Sequence, residues 1–304
     1  MPLFSSNQSK LEKIKESAFK NESEIQKITE ANLLEIFGLE LVKREISFDD
    51  LRADTLAFNE ESKAFVIIEY KIGTNYSVID QGYAYLASIL NKKEACVLEY
   101  NNVNNKQLKA NDIDWSQSRV FFISPEFTKY QSKAIGFRDL PFELWKISKF
   151  DNGLISFIRL ESAISGESIA KFSPSNETVK EVSKEIKVYT EQDHLDGMPE
   201  SIAKTYQKLK ERIFSLDEGT QIRPRRLYIA FLAKSIFASV WLQKASLKLF
   251  LNLEKGQLND PKKVARDMSN TGHWANGDYE ITIKPQDDLD YIISLVKQSL
   301  DKHS

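Results

Sequence analysis

The chain has 304 residues, 41% apolar and 28% charged, with a formal charge of −2 and a pI near 6.1, a length that accommodates two domains with separate cores. It carries no run of about 18 uncharged apolar residues and no signal-peptide pattern, so neither a membrane span nor export is expected. A single cysteine, Cys96, rules out an intrachain disulfide and fits a reducing cytoplasm.

Taken in chain order, residues 8–38 read as one or two helices, with Ile25, Ile28, Leu33, Leu34 and Phe37 near one stripe and Gly38 as a stop. Residues 41–72 read as a β-meander of three runs: "LELVKREISF", "LRADTLAFN" and "KAFVIIEYK". The stretch "VIDQGYAYLASILNKK" has helical spacing at Ile79, Tyr83, Leu86, Ile89 and Leu90. A strand "ACVLEY" is expected next, with Cys96 as a core residue, then an asparagine-rich loop. "RVFFIS" reads as a strand, "PEFTKYQSKAIGF" as a helix, and "FELWKISKF" and "GLISFIRLE" as two further strands.

From residue 162 to 199 the composition shifts toward Ser, Glu and Lys, which suggests a linker with a partly helical stretch. A helix "SIAKTYQKLKERIFSL" opens the second half, followed by a basic turn "RPRR" and the strand-like runs "LYIAFLA", "SIFASVWLQ" and "SLKLFLNL". After these come a helix-like "PKKVARDM", a two-residue hairpin turn at Asn276-Gly277, and a closing helix "YIISLVKQSL". Between Ser201 and Lys248 ten basic residues face three acids, a local excess of about seven positive charges in a nearly neutral chain.

The three histidines are scattered, and no P-loop, G-x-G-x-x-G or G-x-S-x-G is present. Carboxylates and lysines are therefore left to carry any catalysis, which points to metal-assisted chemistry on oxygen-rich substrates. E-x-K occurs at Glu61, Glu69 and Glu185, but one or two such matches arise by chance in a chain of this composition. The copy at Glu69 differs in following the apolar run "FVII". Along a strand Glu69 and Lys71 share a face, and a hairpin can bring Asp54 opposite. Two converging carboxylates repel unless a cation joins them. A hard ion such as Mg²⁺, with Mn²⁺ able to stand in, accepts such ligands. Lys71 would then reach a phosphate or the attacking water. The alternative is a set of ordinary edge charges that reach solvent.

Several ordered pieces carry a resemblance. "E-x-N-L" from Glu30, "F-G" at 37–38, "R-x-D-T-L" at 52–56, "I-E-Y-K" at 68–71, "D-Q-G-x-x-Y-L" at 80–86, "I-D-W-S-x-x-R" at 113–119 and "F-T-K-Y" at 127–130 resemble the PD-(D/E)XK nuclease superfamily. The similarity is greatest to the branch that includes NucS-type endonucleases, and it covers roughly residues 10–160. The resemblance implies an α/β, restriction-endonuclease-like mixed sheet of four or five strands flanked by helices. It makes Asp54 and Glu69 metal ligands, Lys71 the catalytic lysine, Glu30 an accessory acid and Gln81 a helix residue near the site. Tyr85, one turn on, would face the same way. For several of these a plain structural role stands beside the functional one: Glu30 as a solvated helix acid, Gln81 as a cap, Tyr85 as a core aromatic, and Arg52 as the partner of an acid or of a phosphate. Ala53 departs from the larger aliphatic residue usual in that branch.

The second half resembles a small domain of unknown function often appended to such nucleases, on "YIAF" at 228–231, "GHWANGDYE" at 272–280 and "DDLDYIISLVKQS" at 287–299. Arg223, Arg225 and Arg226 are its candidates for phosphate contact, with His273 and Trp274 beside the turn. The organisation expected is a nuclease-like domain over 1–161, a linker over 162–199 and a smaller C-terminal α+β domain over 200–304. The activity expected is Mg²⁺-dependent hydrolysis of DNA phosphodiesters. Cutting both strands of a duplex usually needs two active sites, hence often a homodimer, and the oligomeric state stays open. The rival reading is a non-catalytic nucleic-acid-binding or regulatory protein that keeps the fold.

Overall fold

The computed structural model describes residues 3–7, 10–48, 51–73, 77–134, 137, 140–160, 176–270 and 276–304. The chain divides between Val188 and Tyr189 into two units.

The first unit opens with β1 (Phe4–Asn7) and β2 (Lys10–Lys13), an antiparallel pair, and β3 (Glu16–Ser17). Of the stretch 8–38 read as helical, the described residues 10–38 are thus helical only in their second part. The early segment "KLEKIKES" alternates Leu11 with charges, and Leu11 is 66% exposed, so there is no apolar helical face to bury. Helix α1 (Glu22–Glu30) starts at Asn21, whose side chain accepts from the Glu24 N–H. Helix α2 (Leu33–Phe37) stops at Gly38, which takes the left-handed cap at φ 64°. Next come β4 (Glu40–Phe48), β5 (Leu51–Asn59), β6 (Ala64–Tyr70), α3 (Val78–Asn91) and α4 (Lys93–Asn104). They are followed by β7 (Arg119–Ser124), α5 (Lys129–Ala134), β8 (Phe142–Phe150), β9 (Ile155–Arg159) and α6 (Glu177–Glu185).

Seven strands form one mixed sheet in the order β3-β8-β7-β6-β5-β4, with β9 paired to β8, a wider sheet than the four or five strands expected. β4, β5 and β6 run as an antiparallel meander, whereas β6–β7 and β7–β8 are parallel and are joined by helical crossovers. Strand alternation assigns the two faces. Phe65 and Ile67 of β6, Leu56 and Phe58 of β5 and Phe122 of β7 pack with Tyr83, Leu86 and Ile89 of α3. Val66, Ile68 and Tyr70 instead pack with Ile25 of α1 and Leu33 of α2. Gly82 lets α3 approach β8, since a Cβ there would lie 2.6 Å from the Phe142 ring.

Two further stretches of this unit differ from the sequence expectation. "ACVLEY" is helical, inside α4: Cys96, Val97 and Tyr100 are buried while Leu98 is 60% exposed, a helical rather than a two-residue period. Residues 176–188 also belong to the first unit, because Val179, Val182 and Ile186 insert into the α3-side core. Of the stretch read as a linker, residues 162–175 lie outside the described residues.

The second unit contains α7 (Glu191–Leu195), α8 (Glu200–Phe214), β10 (Gln221–Pro224), β11 (Ile229–Leu232), β12 (Ile236–Leu242), β13 (Leu247–Leu251), β14 (Arg266–Asp267), β15 (Tyr279–Ile283) and α9 (Leu289–His303). Its six strands form an antiparallel sheet in the order β10-β11-β12-β13-β15-β14, with α8 and α9 packed on one face through Tyr206, Leu209, Leu295 and Val296. "PKKVARDM" forms turns and the short β14, not a helix. Gly277 is not in a two-residue turn between adjoining strands. At φ 83° it lies so close to β13 that a Cβ would meet the Leu251 carbonyl oxygen at 2.0 Å. His273 and Trp274 lie outside the described residues. Among the described residues no helix is long and apolar enough to cross a membrane.

Candidate functional site

The site forms where β5 and β6 part. Their ladder ends at Thr55↔Ile68, and the same register carried one residue further sets Asp54 opposite Glu69. The Asp54 carboxylate takes over from the ladder there, with Oδ2 accepting the Tyr70 N–H at 2.9 Å. Glu69 follows Phe65 and Ile67 onto the α3 face and is 3% exposed, a location that an ionised group tolerates only with partners. It has three. Lys71 Nζ donates to Oε1 at 2.6 Å, Gln81 Nε2 donates to Oε1 at 3.1 Å, and Tyr85 Oη donates to Oε2 at 2.9 Å. Gln81 and Tyr85 sit one turn apart on α3, and Gln81 Nε2 also lies 3.2 Å from Tyr85 Oη. Tyr85 is therefore both a buried aromatic and a ligand of Glu69. The Lys71 N–H is fixed by the Ile123 carbonyl of β7 at 2.9 Å.

The electrostatics record this crowding. Burial and the neighbouring Glu69 charge push the Asp54 carboxyl up to about 6, against the smaller opposing effects of the Tyr70 N–H and Lys71. Burial disfavours the Lys71 ammonium, but its bond to Glu69 and the charges of Glu69, Asp54 and Glu22 outweigh this and hold its pKa above the ordinary lysine value. Burial and the Glu69 charge raise the Tyr85 phenol.

Other predicted residues are placed elsewhere. Glu30 is buried, but its oxygens accept from Thr55 Oγ1 at 2.6 Å and Gln26 Nε2 at 3.0 Å and pair with Arg44 Nε at 2.6 Å. Arg52 pairs with Glu45, and its carbonyl oxygen lies 3.1 Å from Tyr85 Oη. Arg223, Arg225 and Arg226 lie in the second unit, on β10 and the turn after it. Arg226 is exposed there, and the Arg225 carbonyl lies 2.7 Å from His194 Nε2. Sequence reasoning missed Glu22, whose Oε1 accepts the Ile72 N–H at 2.9 Å and whose charge reaches both Asp54 and Lys71. No periodicity marks that residue, since its partner lies fifty positions away. Gln26 was readable as the i−4 neighbour of Glu30 on one helix face.

Among the described residues no three His, Cys, Asp or Glu side chains come together as a metal-ligand group. The residues at hand are a pair of carboxylates with an excess of negative charge between them. That pair suits a hard ion that binds one or two carboxylates and keeps water in its remaining positions.

Residues 191–303 match the family described as a domain of unknown function, DUF5655. Among solved structures, the chain is similar to a repair endonuclease from Pyrococcus abyssi, at 15% identity over 40% of this chain and 45% of that one, with a TM-score of 0.26. It is also similar to the EndoMS–dsDNA2 complex, at 14% identity over 47% and 49%, TM-score 0.28. A third is Pyrococcus furiosus SfsA in complex with Ca²⁺, at 15% identity over 44% and 60%, TM-score 0.23. The chain spans less than two thirds of each of these solved chains. An uncharacterized protein of Haemophilus influenzae is 43% identical over 300 residues, which is 99% of both chains. The chain, a mixed α/β protein with a DUF5655 domain in its second unit, belongs to the family of that Haemophilus influenzae protein.

Proposed function

We propose that the chain is a metal-dependent endonuclease of the PD-(D/E)XK, restriction-endonuclease-like kind, hydrolysing DNA phosphodiester bonds in its first unit. The observation that carries this reading is the meeting of Asp54, Glu69 and Lys71 at the parted ends of β5 and β6. There the Glu69 carboxylate helps to push the Asp54 carboxyl up to about 6 and binds the Lys71 ammonium at 2.6 Å. Asp54 and Glu69 would hold Mg²⁺ or Mn²⁺, which supplies Lewis acidity toward phosphoryl oxygens and offsets charge that builds up at phosphorus. The chain's own residues have separate tasks. Gln81 and Tyr85 keep both Glu69 oxygens oriented, and Asp54 is mainly ionised above about pH 6. Lys71, 23% exposed at its side chain, can exchange Glu69 for a phosphate oxygen, donating a charge-assisted hydrogen bond to it. Arg223, Arg225 and Arg226 of the second unit would add phosphate contacts.

The test is incubation with a panel of labelled DNA structures in Mg²⁺ or Mn²⁺, for the parent chain and Asp54→Asn. Cleavage by the parent, lost by at least about 100-fold in the variant with an unchanged circular dichroism spectrum, supports the reading. DNA binding without cleavage on any substrate would leave the non-catalytic reading in its place.

A further inference from the structure

Asp54 falls at a gap in the pairing of its strand. On the β6 side the ladder stops at Thr55↔Ile68. On the β4 side it runs through Arg44↔Thr55 and resumes at Ile46↔Ala53, which leaves Glu45 opposite Asp54 with a left-handed φ of 51°. A non-glycine residue held there is strained, so the irregularity has to be held by something. Neither ladder includes Asp54, and a side chain of α1 holds its backbone instead, as part of a network centred on Glu30. Gln26 Nε2 donates to the Asp54 carbonyl oxygen at 3.3 Å and to Glu30 Oε1 at 3.0 Å. Thr55 Oγ1 donates to the same Glu30 oxygen at 2.6 Å and lies 3.3 Å from Tyr70 Oη. Arg44, from the strand beside Thr55, closes on the second Glu30 oxygen at 2.6 Å.

Both Glu30 oxygens are thus engaged, and its side chain is only 2% exposed. A carboxylate in that condition has no open face for a water, an ion or a phosphate. We infer that Glu30, with Gln26 and Arg44, is a positioning group that fixes the backbone of Asp54 from the α1 side of the sheet. It is not an accessory acid that meets the substrate. Glu30 grips Thr55, Gln26 grips the Asp54 carbonyl, and the carboxylate of Asp54 is thereby kept on the Tyr70 N–H. The consequence for cleavage rests on the nuclease reading; the clamp itself does not.

Amide hydrogen exchange at Tyr70 reports the clamp without any reaction, because that N–H is held by Asp54. The Ile72 N–H, held by Glu22, serves as the internal control. In Gln26→Ala and Thr55→Val, exchange at Tyr70 is expected to rise about tenfold while Ile72 and the Leu56–Phe58 amides stay unchanged. In cleavage assays the same two variants are expected to lose about tenfold in kcat with KM and metal-concentration dependence unaltered. Glu30→Gln, which keeps an acceptor for Thr55, is expected to be milder than Glu30→Ala. Unchanged exchange at Tyr70 in both Gln26→Ala and Thr55→Val would overturn the clamp whatever the DNA assay gives. So would a Glu30→Gln variant as damaged as Glu30→Ala with an altered metal dependence. Faster Tyr70 exchange in those two variants of a chain whose parent cuts no DNA would instead sustain the clamp and discard the nuclease reading.

Discussion

The β4–β6 meander carries two carboxylates and a tyrosine at each end, and the two ends behave differently. At one end Asp54 and Glu69 meet, with Tyr85 from α3 on Glu69. At the other, Tyr100 Oη of α4 lies 3.0 Å from both Glu40 Oε2 and Glu60 Oε2. Burial raises the Glu60 carboxyl, but its bonds to Lys63 and Tyr100 outweigh this and leave it below the ordinary value. The Asp54 carboxyl goes the other way, up to about 6, through burial and a like-charged neighbour. The residue types are nearly the same. The outcome turns on what solvent and cations reach each pair: Glu60 is about 43% exposed at its side chain, whereas Glu69 is 4% exposed there. A satisfied acid pair is a surface feature, while a crowded and secluded one stores an affinity for positive charge.

That contrast can be broken from either side. The largest effect is expected from Lys71→Ala, which should lower DNA cleavage by at least about 100-fold in a single-turnover assay, whereas Lys63→Ala at the other end should leave it within about twofold. Next in size are the two tyrosines. Tyr85→Phe removes the donor to a buried Glu69 oxygen and should cost about 1–3 kcal/mol in urea unfolding, with cleavage down by about 10–100-fold. Tyr100→Phe should cost about 0.5–1.5 kcal/mol and leave cleavage intact.

The smallest effects are those of pH on stability, and they should have opposite signs. A folded pKa above the unfolded one means that the native state holds the Asp54 proton more tightly. Asp54 then contributes its stabilisation below about pH 4 and loses it as pH rises to about 6. In metal-free buffer Asp54→Asn should therefore be more stable than the parent at pH 7.5, by about 1–2 kcal/mol after allowance for solvent screening, and flatter between pH 4 and 6. Glu60, with a lowered folded pKa, stabilises above the ordinary glutamate range and loses that contribution on acidification. Glu60→Gln should be the less stable chain at pH 7.5, by a few tenths of a kcal/mol. Unfolding midpoints across pH for the two variants decide both.

Much of this was readable from the sequence because it is local. The alternation through "FVIIEYK" sets Glu69 on the face opposite Tyr70, and the four-residue step from Gln81 to Tyr85 sets both on one side of α3. What was not readable depends on distant partners. Glu30 read as an accessory acid or a solvated helix acid because Arg44 and Thr55, which enclose it, lie on strands whose register no pattern announces. "ACVLEY" was ambiguous for another reason: six residues rich in apolar types satisfy either period, and the neighbouring Lys93 and Asn104 that extend it to a helix of twelve decide the matter. "KLEKIKES" failed by the same ambiguity in reverse, since too few apolar groups were present to favour a helix over an exposed strand.

The backbone tie between Lys71 and Ile123 has a consequence for biogenesis. The acids, the glutamine and the tyrosine of the site all fall between Glu22 and Tyr85, so a nascent chain can gather them soon after that stretch leaves the ribosome. The backbone that carries Lys71 waits for Ile123 of β7, some fifty residues further along the chain, before its strand end is pinned. A partly made protein would thus carry the two acids with the strand end of Lys71 still loose, and the arrangement would be completed only with the closing of the parallel crossover.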